Sequence, residues 1–316
     1  MSLPPFLQPR DPPHLPTASC RNALFLHKLP FGSSHALWWP SKLPLPTTVV
    51  LFIPGNPGLL DLYVPFLEFL YAKDTSSSLA IFAGSHIGHT PGIEANTSGH
   101  GLPAQIESSI EAFDAIQSNF GAGIRIVVAG HSVGSWLSLQ ILKARPSAVA
   151  GVFLLFPTIS HIRDTPNGRM LSWFFSAPMR IFVSWLSHLT QILPLSVLAL
   201  FFPSWSLSQV LVFQTFLHSP SSILAALRMA DDEMHTIRGL DVPLLTAHRD
   251  RLWFYFAEHD DWVGEQLNHV LDSFEPELEK FRIVHGQEGI PHAFCLNHGE
   301  QLASQCHQWL NSLKGL

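Results

Sequence analysis

The chain has 316 residues and a net charge of −6 with no cluster of Lys or Arg, which argues against nucleic acid and against electrostatic docking on an anionic membrane. Only 13% of its residues are charged and 47% are hydrophobic, and a mean hydropathy of +0.20 is greasy for a water-soluble enzyme. Three cysteines, Cys20, Cys295 and Cys306, are too few and too odd in number for a disulfide framework and fit a reducing compartment.

Residues 1–21 hold six prolines and read as an irregular arm, without the continuous apolar core of a cleaved signal peptide. Asn22–Leu29 and Ala36–Trp39, split by Phe31-Gly32-Ser33-Ser34, predict an antiparallel hairpin. The apolar runs Thr48–Ile53, Leu79–Ala83, Ile124–Ala129 and Val149–Phe156 predict strands. Between the second and third lies Ala104–Phe120, where Ile106, Ile110, Phe113 and Ile116 approximate helical spacing. Ser135–Arg145 reads as a second helix, Leu252–Ala257 and Phe281–Val284 as two more strands, and Glu300–Leu313 as a closing helix. Strands separated by helices imply an α/β fold with a mostly parallel sheet. Residues 22–316 then form one domain, with 158–240 as an apolar helical insertion.

Residues 171–227 are the exception. These 57 residues carry one formal charge, Arg180, and no acid. Within them Ile181–Phe202, 22 residues long, approaches the length of a membrane-spanning helix. Pro194 interrupts it, and Ser184, His188, Thr190 and Gln191 dilute it. The expected form is a re-entrant helical hairpin broken at Pro194, with Trp173, Trp185 and Trp205 at interfacial depth. A lid packed on the core and a spanning helix are the competing readings.

The run Ile124–Ala129 stops at Gly130-His131-Ser132-Val133-Gly134 and restarts as a helix. Gly-x-Ser-x-Gly in that setting is a nucleophile elbow, which presents the Ser132 hydroxyl at the carboxyl end of the sheet. A serine needs a base and an orienting acid, and in elbow enzymes these follow it as acid, then histidine. Asp260 lies on the loop after Leu252–Ala257 and is preferred to Glu258 and Asp261. His292, after Phe281–Val284 and before the last helix, is preferred to His285 and His298. Backbone N–H groups of Val133 and Asn56 would form an oxyanion hole. His86, His89 and His131 are pocket candidates. A metal site would need a third ligand beside His86 and His89, so neither metal nor cofactor is expected. The reaction read from this set is ester hydrolysis through an acyl-enzyme. A scaffold role or acyl transfer to an alcohol are the alternatives, and a serine at the elbow excludes an epoxide hydrolase or dehalogenase, which need an acid there.

Four more stretches carry a resemblance: Ile53-Pro54-Gly55-Asn56-Pro57-Gly58, Ser85-His86-Ile87-Gly88-His89, Leu155-Phe156-Pro157-Thr158-Ile159 and Thr165-Pro166-Asn167-Gly168. With the elbow, they make the chain resemble the α/β-hydrolase superfamily. More narrowly, from about Thr48 to the C-terminus, it resembles the lipid droplet-associated hydrolase family. The resemblance implies an α/β-hydrolase fold, a Ser132, Asp260 and His292 triad, and a place on lipid droplets and the cytosolic face of the endoplasmic reticulum. The implied substrate is a lipid ester of sterol ester or acylglycerol type, met at the droplet monolayer or reticulum membrane through residues 171–227.

Overall fold

The computed structural model describes residues 3–10, 18–93, 101–275, 278–286 and 289–313. Residues 1–2 and 11–17 of the proline-rich arm lie outside them. Nine strands form one sheet: β1 (Leu7–Pro9), β2 (Arg21–Leu26), β3 (Ser33–Trp39), β4 (Thr48–Ile53), β5 (Leu79–Gly84), β6 (Arg125–His131), β7 (Val149–Leu155), β8 (Leu252–Phe256) and β9 (Arg282–His285). Their order is β1-β2-β3-β5-β4-β6-β7-β8-β9. The hairpin β2–β3 joins antiparallel to β5, and every pairing from β5 to β9 is parallel. The arm was expected to be irregular, yet Leu7–Pro9 pairs with Ala23–Phe25 as an edge strand. Pro9 is tolerated there because an edge strand leaves one row of N–H groups unused.

Each central strand is apolar on both sides because helices cover both faces of a parallel sheet. Side-chain alternation sends Val49, Leu51 and Ile53 of β4 into one core and Val50 and Phe52 into the other. On the first face lie α2 (Leu102–Phe120) and α3 (Val133–Ala144); on the second lie α1 (Val64–Ala72) and α11 (Gly299–Leu313). Helix α1 escaped the sequence reading because Val64-Pro65-Phe66-Leu67-Glu68-Phe69-Leu70-Tyr71-Ala72 is apolar nearly all round and has no helical period.

Between β7 and β8 run α4 (Pro166–Phe175), α5 (Ala177–Leu186), α6 (Leu195–Leu200), α7 (Leu207–Leu217), α8 (Pro220–Thr236) and α9 (Val242–Ala247); α10 (Gln266–Asp272) follows β8. The expected hairpin about Pro194 is not formed. Ile181–Phe202 is broken into α5, a tighter 3-10 turn over Ser187–Ile192, and α6, which Pro194 caps. Helix α5 has 10 residues, about 15 Å at 1.5 Å per residue, half the thickness of a hydrocarbon core. No single helix among the described residues is long and apolar enough to cross a membrane. Helices α7 and α8 together have the length and composition but meet at 89°, and α8 buries Ala225, Met229 and Met234.

The insertion has two faces. Phe175, Leu198, Val210, Phe216 and Ile223 are buried. Yet of the seventeen large apolar side chains left exposed among the described residues, twelve fall between Met170 and Leu207. Trp173 is 61% exposed, Trp185 63% and Ile192 85%. That concentration makes one contiguous stretch of chain the apolar surface of the molecule, where isolated exposed residues elsewhere need no explanation.

Candidate active site

Strand β6 ends at His131, and Ser132 turns into α3 with φ 55° and ψ −123°. A side chain at positive φ is strained, and the elbow tolerates it by removing bulk around the turn. A Cβ on Gly130 would overlap the Gly134 carbonyl, and one on Gly134 would overlap the Ile53 carbonyl at the end of β4. A Cβ on Gly55 would stand 3.0 Å from Ser132 Cβ. The two glycines of the elbow therefore answer to backbone packing, and Gly55 lets the loop after β4 lie against the serine. Ser132 is partly exposed, and its hydroxyl makes no hydrogen bond among the described residues.

The loops after β8 and β9 bring Asp260 and His292 together: His292 Nδ1 lies 2.7 Å from Asp260 Oδ2. The Asp260 side chain is only 4% exposed, and its other oxygen accepts the Trp262 N–H at 2.9 Å. An acceptor-only carboxylate facing Nδ1 selects the tautomer with hydrogen on Nδ1, which leaves Nε2 with a free lone pair. Glu258 and Asp261 are exposed. His285 is exposed at the end of β9, and His298 donates its backbone N–H to Phe294. Below the His292 ring, Phe156 stacks on Phe294 at 5.4 Å and meets His292 edge-on at 5.9 Å.

His131 does not open to a ligand. Its Nδ1 accepts from the Tyr63 hydroxyl at 2.7 Å, and its Nε2–H donates to the backbone carbonyl of His292 at 2.9 Å. Burial, and then the neighbouring His292, hold the His131 imidazole well below its ordinary range, so it is neutral. The Tyr63 oxygen in turn accepts the Gly55 N–H at 3.2 Å. One buried chain of bonds thus ties the loop after β4, the elbow and the His292 loop to one another.

His86 and His89 are likewise tied to neighbouring backbone. His86 Nε2 bonds the Pro54 carbonyl at 3.1 Å, and His89 Nδ1 bonds the Pro57 carbonyl at 2.9 Å. Both rings are buried, and burial lowers the His86 pKa to about 4. They hold the loop after β4 from beneath because its carbonyls have no strand partner and must be satisfied from outside. The Asn56 N–H, by contrast, donates no hydrogen bond among the described residues, nor does the Val133 N–H at the first turn of α3. No cluster that could hold a metal ion occurs among the described residues.

The insertion touches each of the three loops. Asn167 N–H donates to the Asp261 carbonyl at 2.9 Å, and a Cβ on Gly264 would press within 2.7 Å of Pro166 Cδ. Thr165 caps α4 by accepting the Gly168 N–H. The Thr165-Pro166-Asn167-Gly168 stretch is therefore the dock of the insertion on the Asp260 loop, a role its residue types did not disclose. Gln209 of α7 donates to the Leu296 carbonyl beyond His292 at 2.5 Å. Asn56 Nδ2 donates to the Ala226 carbonyl and to Glu233 Oε1 of α8, both at 2.9 Å. Glu233 is buried; burial, with the Asp232 charge adding and the Asn56 bond opposing, raises its pKa to about 8. Sequence reading missed Glu233 because an Asp-Asp-Glu run on a helix reads as a solvated face. Past Gly58, Leu59 to Leu62, Val64, Pro65 and α7 line a cavity of about 480 Å³, which Arg10, Asn22 and His35 also line and the Ser132, Asp260 and His292 side chains do not.

Comparison with known proteins bears on the family and the fold. The sequence model of the family described as "Lipid-droplet associated hydrolase" matches residues 46–295. The chain is 28% identical over 290 residues to the lipid droplet-associated hydrolase of Homo sapiens, covering 84% of this chain and 86% of that protein. It is 27% identical over 282 residues to that of Drosophila melanogaster, covering 84% and 89%. A haloalkane dehalogenase from Agrobacterium tumefaciens superposes with a TM-score of 0.65 at 14% identity, covering 94% of this chain and 98% of that one. A thermophilic esterase from Thermogutta terrifontis gives 0.59 at 13% identity, covering 93% and 99%. At such identities these solved structures speak for the α/β-hydrolase fold alone.

Proposed function

The chain belongs to the lipid-droplet associated hydrolase family, and from that premise we propose that this hydrolase cleaves lipid esters through an acyl-enzyme on Ser132. The observation that carries the reading is the 2.7 Å bond from His292 Nδ1 to Asp260, on the loops that flank an elbow serine. In this reading His292 Nε2 takes the Ser132 proton as Oγ attacks the ester carbonyl. Asp260 holds the tautomer and stabilises the imidazolium, and the Val133 and Asn56 N–H groups receive the oxyanion. The proton then passes to the leaving alcohol, and a water activated by the same histidine releases the acid.

The substrate class follows from the insertion. A lipid ester in a droplet reaches the serine only if the enzyme lies on the phospholipid monolayer, and the apolar outer faces of α4 to α7 suit that surface with few charges, Arg169 being exposed on α4 and Arg180 held by Asp231. The names of the relatives mention lipid droplets, which supports the droplet as the setting; the cytosolic face of the endoplasmic reticulum is part of the same proposal. Sterol esters or acylglycerols are the fitting substrates. Pre-steady-state hydrolysis of p-nitrophenyl butyrate tests the acyl-enzyme. A burst of p-nitrophenol stoichiometric with enzyme, absent in Ser132→Ala, is expected. Equal turnover by Ser132→Ala would remove the reading.

A further inference from the structure

Helix α8 carries three acids in succession, and each holds a different element. Asp231 pairs with Arg180 of α5 at 2.8 Å, the sole formal charge of residues 171–227. Asp232 accepts the Leu102 N–H at the start of α2 at 2.9 Å. Glu233 accepts from Asn56 at 2.9 Å. Successive residues of a helix point about 100° apart, so one turn of α8 fastens to the insertion, to the core helix and to the loop after β4 at once.

The Asn56 bond is the one with chemical reach. Both hydrogens of its side-chain nitrogen are spent on α8, one on the Ala226 carbonyl and one on the Glu233 carboxyl. These acceptors are seven residues apart, yet they meet because a helix carbonyl points toward the C-terminus while a side chain tilts back toward the N-terminus. Glu233 is 4% exposed, and a buried carboxyl is a costly way merely to glue a helix down, where a leucine would pack without desolvation. What the carboxyl adds is a directed acceptor for Asn56.

We propose that Glu233 is a positioning residue of the hydrolytic site: through the Asn56 side chain it holds the Asn56 N–H at its place beside Ser132, so the oxyanion hole is complete only while α8 is seated. This rests on the reading of Ser132 as nucleophile and Asn56 N–H as oxyanion donor. It deepens that reading by joining the lipid-facing insertion to the catalytic step through one hydrogen bond. A shift of α8 on its bed moves the donor, not the nucleophile or the base.

The test compares wild type, Glu233→Ala, Glu233→Gln, Asn56→Ala and the Glu233→Ala/Asn56→Ala double variant, each checked by thermal unfolding. Two rates are read: phosphonylation by a fluorophosphonate probe, and turnover of p-nitrophenyl butyrate. Removing an oxyanion donor outright costs about 10²–10³ in kcat; losing its support is expected to cost about tenfold in kcat and in phosphonylation, with KM within about twofold. Glu233→Gln, which keeps an acceptor for Asn56, is expected to restore both rates to within about threefold. The double variant is expected to be no slower than Asn56→Ala, because both single changes cut the same link. If Glu233→Ala does not fold, a wild-type rate in folded Asn56→Ala overturns the proposal. Wild-type rates in folded Glu233→Ala overturn it too, as does a loss carried wholly by KM. An unreactive wild type instead sinks the serine reading on which it stands.

Discussion

Asp260 and Asp261 share one turn after β8, and their surroundings separate them. Asp260 has a nearly buried carboxylate with one oxygen on His292 Nδ1 and the other on the Trp262 N–H. Asp261 is exposed, and it is its backbone carbonyl that Asn167 uses. Asp260→Asn is therefore expected to lower kcat for p-nitrophenyl butyrate by about 10⁴, the scale of losing the histidine tautomer, while Asp261→Asn stays within about tenfold. The reverse ranking in measured turnover would move the acid by one residue. Position in the strand–loop order was enough to bring Asp260 and His292 into view from the sequence. The same order does not say what the rings of His86, His89 and His131 bond. Their partners are carbonyls 32, 32 and 161 residues away, and nothing local records which way a buried imidazole turns. Within its acidic run Glu233 reads as solvated for a related reason: its partner Asn56 lies 177 residues away.

At the scale of elements, periodicity located the central strands to within a residue or two because β4 to β8 are continuous apolar runs bounded by turns. It failed where the apolar pattern is all-round, as in α1, and where composition alone was weighed, as in Ile181–Phe202. That run holds too many hydroxyls to stay one helix. Ser187 Oγ donates to the Ser184 carbonyl, and Thr190 Oγ1 to the Ser187 and Leu217 carbonyls, at 2.6–3.0 Å. Side chains that offer the backbone another partner loosen a helix, and Pro194 completes the break. The result is a set of short helices with an apolar outer face. Trp173→Ser with Trp185→Ser is expected to weaken partition onto triacylglycerol-cored artificial droplets by about tenfold or more, from the apolar area of two indoles. Thermal unfolding should be unchanged, since both rings are solvent-exposed. Droplet flotation assays measure this directly, and unchanged partition would assign the anchor elsewhere.

At the scale of the whole molecule, the insertion is both the apolar surface and the partner of every loop in the candidate site. Asn167 meets the Asp260 loop, Gln209 the His292 loop and Glu233 the Asn56 loop. Surface and chemistry are thus parts of one packed body: in the proposed reading, a lipid contact that shifts α7 acts on the His292 loop through Gln209, and one that shifts α8 acts on the Asn56 loop through Glu233. All of this depends on Ser132 being a nucleophile made reactive by its surroundings. Incubation of the purified protein with a fluorophosphonate, followed by peptide mapping in a mass spectrometer, addresses that claim most directly. The expected result is one phosphonyl adduct per chain, on Ser132, and none in folded Ser132→Ala. An unlabelled wild type, or an adduct that persists in Ser132→Ala, would contradict it.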